Sequence, residues 1–369
     1  MKVGIVGGVA GLYAAVLLDS LDIDYDIHEA SDRIGRRVFT YRFNQEAWDK
    51  STPSDPAYYD YYMNDLERYN DITLLIQDPA SVSARRHDAD QVKTMTDALL
   101  ADFDAGFNLL IEYNSMSPRQ FLLKKGFTNN EIDWMETVND AIGYYDTYSM
   151  SQAVMEEWIF YSADMNKWTL INGGMDMLTK GINLIVKNKP VLNHRGLKIV
   201  VDDTEEYDYV YVISTVPLGA QQIINMTELD LGYYQNTAFC ILNYVWGQDS
   251  SRLGSYLNLH NPTTQVPYQP ESIKTLVNIT LRDLALEFEG YYAFNWYGLA
   301  YLNGAFAMFS PGQFSSVMPW LMRPAAEGHM HFAGEALSSG HAWIIGAVNS
   351  AWRTIYEILC TEGLEEKKK

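Results

Sequence analysis

A chain of 369 residues, 47% of them hydrophobic, is long enough for two domains around a sizeable core. Its 27 basic against 47 acidic residues give a net charge of −20, which disfavours partners held through phosphate contacts, nucleic acid first among them. No apolar run approaches the roughly 18 residues of a membrane span, since Ala14 to Leu18 is cut short by Asp19. No signal peptide precedes the first strand, so the expected compartment is the cytoplasm, where the sequons at Asn225 and Asn278 carry no glycan. The 2 cysteines, Cys240 and Cys360, make no disulfide framework and are expected as small buried hydrophobes.

In chain order, Lys2 to Leu12 reads as a strand, a glycine turn and the start of a helix, and Tyr25 to Ala30 as a second strand. Glycines at such a turn let the backbone approach a pyrophosphate, and the helix N-terminus adds unpaired N–H groups and dipole charge. Candidate nucleotide contacts are therefore Gly7, Gly8, Val9, Ala10 and Gly11, with Glu29 and Ala30 at the end of the second strand. Glu29 lies near the spacing of about 20 residues expected for a carboxylate that holds ribose hydroxyls, which suits NAD or FAD. Gly7 and Gly8 are adjacent where the usual pattern separates them, so the turn is one residue short and a weakened grip on the dinucleotide is expected.

The stretch from Trp48 to Tyr69 is Tyr-rich and lacks clean periodicity. From Val92 to about Tyr161 the signals are helical. Leu99, Phe103, Phe107 and Leu110 fall on one helical face, and Ser117-Pro118 marks a helix start that Gly126 ends. Thr128 with Glu131 forms a capping-box pattern. Strand signals return at Tyr207 to Ser214 and at Ala238 to Trp246. Near the C-terminus, Phe332 to Glu335 reads as a short strand and Ile344 to Leu359 as a helix, a second strand–glycine–helix unit aimed at the same ligand. The expected fold is α/β: a discontinuous Rossmann-like nucleotide domain over residues 1–47, 165–236 and 325–369, with an inserted helical and mixed-sheet substrate domain over 48–164 and 237–324.

Six blocks together resemble the FAD-dependent amine oxidase family, and within it the fungal-type L-amino-acid oxidases. They are the N-terminal turn, Glu29 to Val38, Asn172 to Asp176, Ile213 to Gly219, Gly304 to Phe314, and His331 to Ala347. The resemblance implies that Gly7, Gly8 and Gly11 face the pyrophosphate of FAD, that Glu29 holds the adenosine ribose and that Arg37 lies beside the phosphates. It further implies that Gly334 and Glu335 contact the pyrophosphate and ribityl chain, and that Trp343 and Ile344 pass the flavin ring. The candidate catalytic residues it implies are Ala342, whose carbonyl would meet the substrate amine, and Trp343 and Phe306, which would wall the substrate site. His341 is expected in a structural or flavin-packing role. The implied partners are an amino acid or amine and dioxygen, and a homodimer is left open.

Departures from the family pattern fall on the active site. The family's segment bearing a carboxylate-binding arginine is not visible after Arg42, which is itself the nearest substitute cation. Thr237 to Trp246 lacks the family's flavin-linked lysine, and Arg36 stands where a second glycine is usual. The resemblance thus implies FAD-dependent oxidation of an L-amino acid to an imino acid and 2-oxo acid with release of hydrogen peroxide. The alternatives are a monoamine or polyamine oxidase, or a catalytically impaired flavin-binding remnant.

Overall fold

The computed structural model describes residues 1–40, 92–138, 143–164, 171, 174–193, 209–215, 296, 302 and 304–364. Among the described residues four parallel strands form a sheet: β1 (Lys2–Val6), β2 (Asp24–His28), β3 (Tyr211–Ser214) and β4 (Met330–Phe332), in the order β2-β1-β3-β4. In register, Val3 faces Tyr25 and Tyr211 across the two ladders, and Ile5 faces Ile27 and Ile213. Because side chains alternate along a strand, these six residues share one face. All are at most 1% exposed.

Three helices belong to this layer: α1 (Gly8–Ser20), α2 (Asp176–Ile185) and α3 (Ile344–Thr361). Ala10, Ala14, Ala15 and Leu18 of α1 join Ala347, Ala351, Ile355 and Ile358 of α3 in one core with the strands. The small residues let the two helices approach closely. On the other face of β1, a Cβ on Gly4 would meet the ring of Tyr209 at 2.6 Å. The chain leaves β1 toward β2 on one side and pairs with β3 on the other. The carboxyl ends of β1 and β3 therefore flank a topological switch point, the place where open parallel sheets bind ligands.

Residues 92–155 contribute a second core, built on Leu99, Leu110, Phe121, Ile132 and Met155, into which Phe309, Phe314 and Met318 return. Its helices start where the side chains dictate. Ser117 caps Pro118–Lys125 through a reciprocal box with Gln120, and Gly126 ends it in the left-handed region. Thr128 and Glu131 exchange hydrogen bonds ahead of Asn129–Val138.

Several expectations need correction. Leu99 and Phe103 do not share one helix: the helix over 92–101 stops, and Asp102 accepts the Ala105 N–H to start Phe103–Ile111. The two helices meet where a Cβ on Gly106 would strike the backbone of Leu99. The C-terminal strand is Met330–Phe332 and not Phe332 to Glu335, because Gly334 takes φ 135° and opens a 3-10 turn at Glu335–Leu337. Cys360 is half-buried on α3 and has a free thiol. The strand expected at Ala238 to Trp246, together with Cys240, Arg42 and the sequons, lies outside the described residues.

Candidate dinucleotide and substrate site

The short turn closes by having Gly8 at φ 88°, a conformation glycine adopts without strain. Gly7 donates its N–H to the His28 carbonyl at 2.7 Å and Gly8 donates to Glu29 Oε2 at 3.0 Å. A Cβ on Gly7 would collide with that same oxygen. Glycine at position 7 is thus what admits Glu29 to the N-terminus of α1, where helix dipole and carboxylate attract. Thr215, the residue after β3, donates its hydroxyl to the carbonyls of Val6 and Gly7 and pins the turn from the far side.

Glu29 is 1% exposed. Besides Gly8, it accepts from the Ser31 N–H at 3.0 Å and the Ser31 hydroxyl at 2.9 Å, and Arg36 Nε lies 3.3 Å from each oxygen. Three short bonds take most of the roughly four lone-pair positions of a carboxylate. Arg36 is itself 6% exposed, its φ is 49°, and its Nη1 is buried without a partner.

The C-terminal half is organised by the side chain of Glu335, which is 6% exposed. Its Oε1 accepts from Arg37 Nη1 at 3.0 Å and from the Ala307 N–H at 3.2 Å, and its Oε2 accepts from the Ala342 N–H at 3.0 Å. Arg37 Nη1 also donates to the Ala305 carbonyl at 2.6 Å. Phe306 is held between two residues of this network, and Trp343 directly follows a third. One carboxylate therefore draws Phe306, Ala342 and Trp343 toward Arg37. Ala342 has φ 64°, and Trp343 is the N-cap of α3, whose first residue is Ile344. Gly334 donates to the Ser350 hydroxyl at 2.8 Å, and beyond its Cα a Cβ would meet nothing within 4 Å.

A cavity of about 360 Å³ opens here, lined by Arg37, Thr215, Gly334, Glu335, Trp320 and Arg323 among others. It lies beyond the carboxyl ends of β3 and β4. Behind it His341, 1% exposed, directs Nδ1 to Gln152 Oε1 at 2.6 Å and packs its ring against Phe309 and Phe314. Burial lowers its pKa, against the opposing field of Glu335, and keeps the imidazole neutral near pH 7.

The structure brings Gly7, Gly8, Val9, Ala10, Gly11, Glu29 and Ala30 to one end of the sheet and lines the neighbouring cavity with Arg37, Gly334 and Glu335, while Trp343 and Ile344 follow Ala342 at the start of α3 and are not among the cavity's lining residues. Sequence reasoning missed the clasp formed by Ser31 and Thr215, and the use of the Glu335 carboxylate on protein donors. Two of the partners of Glu335, Ala307 and Arg37, lie 28 and 298 residues away, so no local pattern announces them. Among the described residues there is no cluster of metal-ligating side chains, and no helix is long and apolar enough to cross a membrane.

An α/β sheet with a glycine turn, a buried acid after its second strand and a second glycine unit at its carboxyl edge has the arrangement of a dinucleotide-binding fold. Relatives sharpen this. A protein of Dictyostelium discoideum named as a bifunctional amine oxidase is 26% identical over 99% of this chain, which spans about half (47%) of that relative. L-amino-acid oxidase 4 of Hebeloma cylindrosporum is 24% identical over 97% of this chain and 82% of its own length. The L-amino-acid oxidase of Siganus canaliculatus is 24% identical over 98% and 86%. No protein-family profile matches. Among solved structures, a putrescine oxidase variant superposes with a TM-score of 0.64 at 15% identity, over 98% of this chain and 99% of that one, which shows the fold. Over nearly its whole length the chain is thus similar to amine oxidases and L-amino-acid oxidases. The alignment with the Dictyostelium relative runs over 508 positions against 369 residues here, so that relative carries internal segments with no counterpart in this chain.

Proposed function

We propose that this protein binds FAD across the carboxyl edge of the sheet and oxidises an L-amino acid to an imino acid, which hydrolyses to a 2-oxo acid, with release of hydrogen peroxide. The observation that carries the reading is the Glu335 network, which ties Arg37 and the backbone of Ala305, Ala307 and Ala342, the chain neighbours of Phe306 and Trp343, to the wall of the cavity lined by Arg37, Gly334 and Glu335. The residues fit the cofactor: the glycine turn admits a close approach, Arg36 Nη1 has no protein partner, and the space beyond Gly334 is open.

The N-terminus of α1, with Arg37, would hold the phosphates, and Glu29 the ribose. When bound, FAD supplies a two-electron acceptor for the substrate's Cα–H and passes those electrons to dioxygen. The protein's part is orientation and exclusion of water. The Ala342 carbonyl would accept from the substrate amine, while Phe306 and Trp343 would confine the side chain. We further propose the division into a nucleotide domain over 1–47, 165–236 and 325–369 and a substrate domain over 48–164 and 237–324. The two separate hydrophobic cores support it.

A second reading, oxidation of an amine lacking a carboxylate, is favoured by the likeness to a putrescine oxidase and by the missing arginine segment. The test is the visible spectrum of the FAD-loaded protein after anaerobic addition of L-amino acids or of simple amines, followed by peroxide release in air. Bleaching by amino acids alone supports the first reading. Bleaching by amines alone replaces it with the second, and no bleaching of a fully loaded protein leaves a flavin-binding remnant.

A further inference from the structure

We propose that Arg36 is a phosphate ligand of the bound dinucleotide, supplying a donor that the shortened Gly7–Gly8 turn no longer offers. This rests on the FAD reading above. A helix N-terminus holds phosphate through its free N–H groups, but in this turn the Gly8 N–H is already given to Glu29 Oε2. The carboxylate also brings a negative charge to the place where a pyrophosphate would sit, and like charges repel strongly in a buried setting.

Arg36 answers both problems. Its Nε lies 3.3 Å from either oxygen of Glu29 and offsets that charge. Its Cδ and Nε pass 3.6 and 3.9 Å from the Cβ position of Gly8, so the guanidinium lies over the first residue of α1. Nη1 is buried with no partner in a side chain that is 6% exposed. An orphaned guanidinium N–H is costly to bury, and a planar guanidinium is the side chain best matched to phosphate oxygens. The backbone points the same way: φ of 49° is a conformation that favours glycine, yet the position carries Arg. Arg37, its neighbour, has Nη1 committed to Ala305 and Glu335.

The test titrates the full-length apoprotein with FAD, ADP and adenosine, by flavin fluorescence and calorimetry, in the wild type and in Arg36→Gln and Arg36→Lys. Arg36→Gln is expected to weaken FAD and ADP by about 10- to 100-fold, the range of a lost charge-assisted hydrogen bond. It should leave adenosine within about threefold and flatten the salt dependence of ADP binding, while Arg36→Lys retains part of the affinity. Equal losses for ADP and adenosine would assign Arg36 to Glu29 alone and overturn the proposal, as would unchanged FAD and ADP binding. A wild type that binds FAD while Arg36→Gln does too separates this failure from that of the cofactor reading, which falls only if the wild type takes up neither FAD nor ADP. Should Arg36→Gln not fold, Arg36→Gly, which suits the backbone angle, replaces it with the same expected outcomes.

Discussion

At the scale of single residues, the Glu29–Arg36 pair concentrates the most consequence in the fewest atoms. Both side chains are almost wholly buried, 2% and 6% exposed, so removing one leaves the other charged and unmatched. Glu29→Ala is expected to cost on the order of 3–5 kcal/mol of stability. Combining it with Arg36→Gly should recover part of that loss, a coupling that a double-mutant cycle in urea would read. A second residue makes stability depend on pH. Burial, with Glu157 nearby, raises Glu156 to about 7 against the opposing hydrogen bond from Tyr144 at 2.7 Å. Its carboxyl is therefore more easily protonated in the folded chain than in the unfolded one, where the value is about 4.3. The stabilisation this gives is complete below pH about 4.3 and is lost as pH rises to about 7. Glu156→Gln should abolish that decline, on the order of 1–3 kcal/mol in urea unfolding compared at pH 5 and pH 8.

At the scale of elements, α3 and the loop before it depend on a single close approach. A Cβ on Gly346 would overlap the Gly340 carbonyl and the Ser338 hydroxyl. Gly346→Ala is expected to destabilise by about 2–4 kcal/mol and to lower FAD retention, because the displaced loop carries Ala342 and Trp343. Chemical denaturation and the flavin-to-protein absorbance ratio check the two effects. At a site remote from the crevice, Asp102→Ala should cost about 1 kcal/mol and leave FAD retention unchanged. Elements announced by their own caps were legible in the sequence: Ser117-Pro118 to Gly126, and Thr128 with Glu131. The break at Asp102 was not, since Phe103, Phe107 and Leu110 continue the apolar period of Leu99 across it, and only the side-chain cap reveals two helices. In the site, Glu29 was legible from spacing, and Arg36 stood out as a misplaced glycine without a role. Glu335 was read by its place after Gly334, while the use of its carboxylate depends on partners set by tertiary folding.

At the scale of the whole molecule, the proposed dinucleotide site draws on residues 7–11, 29–37, 215 and 334–344, far apart in sequence, so binding there would be thermodynamically linked to folding. FAD at about 100 times its dissociation constant should add about 2.7 kcal/mol to stability, readable as a rise in melting temperature that scales with the logarithm of FAD concentration. A nucleotide that does not bind should leave the melt unchanged. The sheet also has a consequence for biosynthesis. β1 pairs with β2 almost at once, but its other edge waits for β3, about 200 residues later. At a ribosomal rate of about 5–20 residues per second, the edge Val3 to Val6 stays open for roughly 10–40 seconds, presenting bare backbone donors and acceptors beside valine and isoleucine. During that interval the nascent chain is a strand template for any neighbour, and chaperone supply or slowed translation should govern its soluble yield more than the stability of the finished protein does.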